Sequence, residues 1–347
     1  MIFKGDNEMI RVSYREAVEV MEKGLRKYLP EDAARQMAEI FAGNSADGVA
    51  SHGMNRYCRY LSDMEKGLCN ASVLQAERVA ALGGLERWDA HFGVGPLIAV
   101  QAAERAMALA KEHGIGCVAV GNNSHWLRAG RYALMMADAG FAGMCFTNTC
   151  MNLTCYGAKA ASTGNNPIAM AVPGPEGSLL MDMAVSQYAY GKLEIMAQEG
   201  KQLPSPMGYD TQGNLTTDPG EICRSGLMLP MAMWKGSALS IMLDLLAVTL
   251  SGGRTSREIG TPAAGEAGMS QVFLCMQPEA LGGGQEIRRR IGETLDFLHS
   301  LPGENGKTGG VRAPGERLAL TREENLREGL PVTEATWENI LKAVNQA

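Results

Sequence analysis

The chain has 347 residues, 46% of them apolar and 20% charged, with 42 glycines. This composition supplies a full hydrophobic core for about two domains or lobes and excludes the disordered, collagen-like and disulfide-scaffold classes. The formal net charge is −6 without any run of Lys or Arg, which disfavours binding to nucleic acid or to anionic membranes.

Targeting and metal-binding signals are also missing from the sequence. No segment reaches the roughly 18 consecutive apolar residues of a membrane span, and the N-terminus has no apolar signal core. The eight cysteines form no C-x-x-C pair and no zinc-ligand pattern. We therefore expect a cytoplasmic protein with reduced thiols and no bound metal.

The N-terminal 75 residues predict helices. Ser13 and Glu16 form an S-x-x-E capping box, and apolar residues recur at helical spacing until Pro30. Further helices are predicted around residues 37–41 and over residues 54–66.

Strands and helices then alternate. A hairpin is predicted at 77–82 and 86–90, and strands are predicted at 117–120, 142–147, 167–172, 179–183 and 270–276. Helices are predicted at 97–112, 132–139, 185–197, 236–250, 288–301 and 333–344, and a loop at 207–219. The helix at 236–250 is apolar nearly all round, so we expect it to be buried.

This order of elements predicts an α/β protein. Residues 76–280 would form the mixed-sheet core. Residues 1–75 would form an N-terminal helical cap, and residues 281–347 a C-terminal helical segment packing on that cap.

The glycine motifs do not predict a standard nucleotide cradle. Gly93 and Gly95 open a helix, but Ile98 stands where the third glycine of a Rossmann fingerprint is required. Gly306-Lys307-Thr308 resembles the end of a Walker A motif, but its first glycine position is Leu301.

Two of the five histidines lie in clusters of small and hydrogen-bonding residues: His52 and His125. His52 and Arg56 are four positions apart, so on one helix they would share a face. An imidazole beside a guanidinium suits reduction of a 2-oxo acid, because Arg can bind the carboxylate while His supplies a proton. The alternative is a helix-capping Ser51 followed by a surface histidine and a salt-bridged arginine.

A phosphate site is predicted at the start of the apolar helix. Lys235, Gly236 and Ser237 stand where unpaired N–H groups and the helix dipole favour an anion. The alternative is a lysine that reaches solvent beside a glycine needed for close packing. Further candidates are Asn165-Asn166-Pro167 and Asp182 with Ser186.

Taken in order, these motifs resemble the malate/L-lactate dehydrogenase family, which is unrelated to the Rossmann-type lactate dehydrogenases. The likeness runs from about residue 10 to the C-terminus, leaving residues 1–8 outside it. It is carried by Ser51-His52-Gly53-Met54-Asn55-Arg56, Asn123-Ser124-His125-Trp126, Gly164-Asn165-Asn166-Pro167, Asp182 with Ser186, and Trp234-Lys235-Gly236-Ser237.

The resemblance implies a three-layer α/β/α fold with a mixed sheet, a non-Rossmann NAD(P) site and a homodimer with active sites near the subunit interface. NADH is slightly favoured over NADPH. The implied cofactor contacts are Ser178, Leu179, Leu180, Met181, Asp182, Met183, Ala184, Trp234, Lys235, Gly236, Gly315, Glu316 and Arg317. Glu316 departs from the pattern, because similar members have a histidine there.

The implied activity is reversible hydride transfer between the nicotinamide and C2 of a 2-oxo acid, and the favoured substrate class is a sugar acid. His52 would donate the proton, Arg56 would bind the carboxylate, and His125 would orient substrate or nicotinamide. Ser51 and Asn55 would also contact the substrate. Alternatives are a malate, lactate, ureidoglycolate or cyclic-imine-acid oxidoreductase, or a non-catalytic protein that binds a nucleotide or sugar acid.

Overall fold

The computed structural model describes residues 8–303 and 310–345. Residues 1–7 and the Gly306-Lys307-Thr308 motif lie outside the described residues. Within those residues, no helix is both long and apolar enough to cross a lipid bilayer.

Regular elements cover most of the described chain. The α-helices are α1 (Tyr14–Leu25), α2 (Glu31–Ala46), α3 (Met54–Glu65), α4 (Gly95–His113), α5 (Ala129–Asp138), α6 (Tyr190–Gln198), α7 (Pro219–Ser225), α8 (Trp234–Ser251), α9 (Ser256–Ile259), α10 (Gly284–Ser300), α11 (Glu316–Glu328) and α12 (Glu334–Asn345). The strands are β1 (Met9–Val12), β2 (Glu77–Leu82), β3 (Leu85–Asp89), β4 (Ile115–Ser124), β5 (Ala142–Thr147), β6 (Leu153–Thr154), β7 (Ala161–Thr163), β8 (Ile168–Val172), β9 (Leu179–Met183), β10 (Gly208–Tyr209), β11 (Leu215–Thr216), β12 (Ala267–Met276) and β13 (Leu330–Thr333). Short 3₁₀ helices span Ala50–His52, Pro262–Ala264 and Pro278–Leu281.

The central sheet is mixed. In the described residues it has seven strands in the order β2-β3-β4-β12-β5-β8-β9, with β3 and β4 parallel and the other neighbours antiparallel. The predicted α/β class with a mixed sheet is therefore confirmed.

Alternation along the strands creates the layers, because successive side chains point to opposite faces. Val118 and Val120 join the core cluster that contains α4 and α5, whereas Ala119 joins the cluster that contains Leu243 and Ala247 of α8. Helices therefore cover both faces of the sheet, as in the expected three-layer arrangement.

The two ends of the chain meet. Strand β1 pairs antiparallel with β13, so that Met9 lies opposite Thr333. Helix α12 packs on α1 and α3, and α11 packs on α2. The division of the chain at residues 75 and 280 stays a prediction.

Two predicted elements differ from those observed. Residues 185–197 do not form one helix, because Val185 and Gln187 donate backbone hydrogen bonds to Asn165 and Leu229, which keeps this stretch extended until α6 begins at Tyr190. The predicted loop at 207–219 contains the small hairpin of β10 and β11.

The prediction that the 236–250 helix is buried is wrong for one of its faces. Helix α8 packs on the sheet through Leu243 and Ala247. Its outer face leaves large apolar side chains exposed, among them Met242 at 60% and Leu245 at 49%. Within one chain α8 packs against the sheet on one face only. The apolar side chains on its outer face therefore stay exposed.

Candidate active site

A cavity of about 730 Å³ lies between the cap helices and the sheet. The turn after α2, the 3₁₀ helix at Ala50–His52, the start of α5, strand β9 and the start of α11 meet around it. Its lining residues are Asp47, Gly48, Val49, Ser51, His52, Leu127, Arg128, Ala129, Pro167, Leu180, Asp182, Met183, Ala184, Ser186, Ala189, Gly315, Arg317, Leu318 and Thr321.

A buried ion network supports this cavity. Arg128 Nε donates to Asp182 Oδ2 at 2.6 Å and Arg128 Nη1 to Asp47 Oδ2 at 2.5 Å. Asp47 also accepts from Arg322 Nη1 of α11 at 2.6 Å. Because buried charges are stable only when they are paired, this network fixes β9, α2 and α11 relative to one another.

The two candidate histidines stack on each other. The ring centroids of His52 and His125 are 5.7 Å apart and the ring planes differ by 18°. His52 lines the cavity. Both residues come from the sequence clusters described above, and the fold brings the two clusters together.

Their hydrogen bonds differ in one chemically important way. His125 Nδ1 accepts the backbone N–H of Leu127 at 3.0 Å, so its proton is on Nε2 and the ring cannot become an imidazolium without breaking that bond. His52 Nδ1 lies 3.1 Å from Ser51 Oγ. A hydroxyl can both donate and accept, so this contact tolerates either protonation state of His52.

Both rings are held in the neutral form. Burial and the nearby Arg56 guanidinium lower the pKa of His52 from 6.5 to about 4. Burial, again with a contribution from Arg56, lowers the pKa of His125 well below its usual range. An added carboxylate near Arg56 would offset part of this effect.

Arg56 is not on the same helix as His52, contrary to the sequence prediction. Gly53 interrupts the chain between the 3₁₀ helix and α3, with φ −110° and ψ −132°. Arg56 instead forms an ion pair with Glu266, which also lies 3.3 Å from Arg59 Nη2. The Arg56 Nε atom is buried without a hydrogen-bond partner in the described part of the chain.

Only some of the predicted substrate contacts line the cavity. Ser51 lines the cavity, whereas Asn55 is exposed on α3 and is not among the lining residues. Arg56 and His125 are not among the lining residues either; both lie close to Glu266.

Several predicted cofactor contacts meet at the cavity. Leu180, Asp182, Met183, Ala184, Gly315 and Arg317 line it. Gly315 has φ +96°, and a Cβ there would lie 2.9 Å from the backbone nitrogen of Leu180. This position therefore requires glycine for close approach of α11 to β9.

The other predicted cofactor contacts do not line the cavity. Leu179 and Met181 belong to β9. Ser178 donates to Asp138 at 2.6 Å, and Glu316 contacts His299 Nε2 at 2.6 Å. Their roles stay predictions.

The first turn of α8 fits the simpler of the two interpretations, a lysine that reaches solvent beside a closely packed glycine. Trp234 is 61% exposed, Lys235 is exposed, and neither lines the cavity. A Cβ at Gly236 would lie 2.2 Å from the Met231 carbonyl oxygen, so this glycine allows the turn to pack closely. A phosphate contact at Lys235 stays a prediction.

Sequence reasoning missed Glu266 and Asp47. Glu266 stands between glycine and alanine in the sequence, and both residues acquire their partners, Arg56 and Arg128, through tertiary packing. Among the described residues, no group of three or more His, Cys, Asp or Glu side chains is placed to hold a metal ion.

Comparisons with known proteins agree on one family. The family described as "Malate/L-lactate dehydrogenase" matches residues 12–341. The 2,3-diketo-L-gulonate reductase of Pasteurella multocida is 37% identical over 318 residues, which cover 91% of this chain and 94% of the relative.

Solved structures give the same result. A putative malate/lactate dehydrogenase from E. coli has a TM-score of 0.90 at 25% identity, covering 97% of this chain and 95% of that one. Malate dehydrogenase from Pyrococcus horikoshii has a TM-score of 0.87 at 27% identity, covering 99% of each chain. The resemblance inferred from the sequence is confirmed: the chain belongs to the malate/L-lactate dehydrogenase family, and it is a dehydrogenase or reductase acting on hydroxy and oxo acids.

Proposed function

We propose that the chain reduces a 2-oxo sugar acid, namely 2,3-diketo-L-gulonate to 3-dehydro-L-gulonate, with hydride transfer to C2. Relatives that are 34–37% identical over more than nine-tenths of the chain are named 2,3-diketo-L-gulonate reductase. The observation that carries the proposal is the stacked pair of His52 and His125, of which His52 lines the cavity and both lie near the Arg56 guanidinium.

Family membership implies a nicotinamide cofactor, and the cavity suits one. Its volume of about 730 Å³ falls within the roughly 300–1,000 Å³ of typical small-molecule and cofactor sites. Gly315 lets α11 approach the β9 backbone at this cavity, and exposed Arg317 offers a cation for a phosphate. When bound, the cofactor supplies the hydride. Of the two cofactors, NADH is the one we propose.

Arg56 would hold the substrate carboxylate. Its Nε has no partner in the described chain and its side chain is 12% exposed, so a carboxylate would satisfy a buried donor. A guanidinium pairs with a carboxylate through two parallel hydrogen bonds, which fixes the orientation of the 2-oxo group.

His52 would then donate the proton to the oxygen that becomes the hydroxyl. Its contact with the Ser51 hydroxyl allows both protonation states, whereas the backbone contact of His125 Nδ1 favours one neutral tautomer. His125 would therefore orient the substrate through its Nε2–H. Binding of the carboxylate beside Arg56 would raise the pKa of His52 and so link protonation to substrate binding.

We also propose that the protein is a homodimer, since the exposed apolar face of α8 is the kind of surface that a second subunit covers. The cytoplasm remains the expected compartment.

Loss of NADH absorbance in the presence of a panel of 2-oxo acids tests the proposal. We expect turnover with 2,3-diketo-L-gulonate to exceed that with oxaloacetate, pyruvate or a cyclic imino acid. Preference for one of the latter would assign the chain to another activity of the same family. NADH binding without turnover of any compound on the panel would contradict the proposal altogether.

A further inference from the structure

Glu266 is a buried carboxylate that pairs with two arginines close to His125 of the stacked histidine pair. It forms ion pairs with Arg56 and with Arg59, the latter at 3.3 Å. The Glu266 side chain is 15% exposed and that of Arg56 is 12% exposed. A charge in such a position interacts strongly with any charged ligand that enters, because little water remains to screen it.

Glu266 stays ionised in this environment. Burial by itself would raise the pKa of Glu266, but the Arg56 guanidinium, with His125 and Arg59, holds it at about 2. The two guanidinium charges are therefore offset by one permanent carboxylate.

Other acidic groups act on the same two arginines. Glu194 of α6 and Asp63 of α3 both interact electrostatically with Arg56 and Arg59. His52 and His125 are neutral at pH 7, since their pKa values are lowered. The cluster around Arg56 therefore carries at most one net positive charge, although it contains two guanidinium groups.

The cluster nevertheless keeps one unused donor for a ligand. Arg56 Nε is buried and has no partner among the described residues. It can donate to one carboxylate, whose charge would neutralise the remaining positive charge. A second carboxylate on the same small molecule would lie near the negative charge of Glu266, and no unpaired positive charge would remain in the cluster to balance it.

We propose that Glu266 determines substrate specificity by charge: it admits 2-oxo acids with one carboxylate and rejects dicarboxylates. This inference rests on the proposed reduction of a 2-oxo acid and adds the class of acid that the site accepts. The discrimination comes from placing a repulsive group against the wrong ligand, a common means of specificity. Like charges brought together in a buried site repel strongly, because little water screens them.

The test compares two acids of equal carbon number, 2-oxobutanoate and oxaloacetate, which differ by one carboxylate. We expect the wild-type protein to favour 2-oxobutanoate in kcat/KM. In Glu266→Gln the ratio should shift toward oxaloacetate by about tenfold or more. Glu266→Asp keeps the charge and should keep the wild-type ratio.

Controls separate charge from folding. Glu39→Gln removes a carboxylate from a surface pair with Arg35 and should leave the ratio unchanged. Thermal unfolding of each variant establishes that it is folded at the assay temperature. A folded Glu266→Gln with the wild-type ratio would overturn the inference, as would an equal shift in Glu266→Asp.

A binding measurement makes the test independent of turnover. Oxamate and oxalate have nearly the same shape but carry one and two negative charges, and calorimetry measures their affinity for the protein with or without NADH. We expect oxamate to bind more tightly to the wild type and the difference to shrink about tenfold or more in Glu266→Gln. An unchanged difference, or no binding of either anion, would overturn the inference. Absence of turnover with every 2-oxo acid, combined with the expected anion selectivity, would instead refute the proposed reaction alone.

Discussion

Replacement of His52 by Asn tests the assignment of the proton donor. The amide keeps a polar group of similar size beside Ser51 but cannot transfer a proton at neutral pH. Loss of a general acid lowers turnover by about 10²- to 10⁴-fold. NADH affinity should remain within about twofold, because proton donation acts on the substrate oxygen and a general acid contributes to the reaction rather than to dinucleotide binding.

The structure also sets the size of the pH effect. A pKa lowered from 6.5 to about 4 disfavours the His52 imidazolium by roughly 3 kcal/mol. At pH 7 only about one ring in a thousand would then be protonated in the free protein. The substrate carboxylate must raise that pKa for donation to be efficient. We therefore expect wild-type kcat for reduction to fall as pH rises through a pKa above 4, and this dependence to vanish in His52→Asn.

The assay is NADH oxidation at several pH values, with NADH affinity measured separately by fluorescence. His125→Asn is the matched comparison, since it changes the other ring of the stacked pair; it should mainly raise KM. Near-normal turnover in His52→Asn together with collapse in His125→Asn would mean that the two roles are exchanged. A pH profile in His52→Asn identical to that of the wild type would refute the proton-donor role directly.

Three further predictions concern packing and assembly. Arg56→Ala leaves a buried carboxylate with one fewer partner and should destabilise the fold by about 3 kcal/mol, measured by denaturant unfolding. Arg15→Ala removes an arginine from an exposed pair and should cost far less stability; equal losses in the two variants would contradict this prediction. Gly315→Ala should weaken NADH binding about tenfold or more, because its φ of +96° and the nearby β9 backbone exclude a methyl group. Gly67→Ala, with φ +73° and nothing within 4 Å of the added Cβ, should leave NADH affinity unchanged, and equal affinities in both variants would rule the explanation out. Leu245→Asp on the outer face of α8 should reduce the mass measured by light scattering from that of a dimer to about 37 kDa; an unchanged dimer would place the interface elsewhere.

Much of the fold could be predicted from local patterns. Ser13 caps α1 by accepting the backbone N–H of Glu16, and the strands predicted at 142–147 and 179–183 coincide with β5 and β9. The pairing of β1 with β13 could not be predicted, because each strand has four residues and its partner lies more than 300 positions away. Such pairing depends on tertiary register, and no local pattern encodes it.

The exposed face of α8 is another feature that the sequence could not predict. An apolar helix surface predicts that something covers it, and the same side chains serve for a protein core or for a subunit interface. The sequence therefore predicted the burial of Leu243 correctly, but it could not reveal that Met242 and Leu245 face outward in a single chain.

The candidate site contains residues that local sequence patterns predict and residues that only tertiary pairing brings into place. His52 and His125 could be found because each lies in a local cluster of polar residues, although 73 positions separate them. Glu266 has no polar neighbours in sequence, and its position follows from sheet register: β12 runs antiparallel to β4 with Ala267 opposite Ser124. Since residues 266 and 125 are the next along each strand, this register brings the carboxylate beside His125 and within reach of Arg56. Strand pairing would therefore position the carboxylate that selects the substrate. A shift in the register of β12 would move Glu266 and should change substrate specificity, whereas His125, which follows β4, would keep its place beside His52.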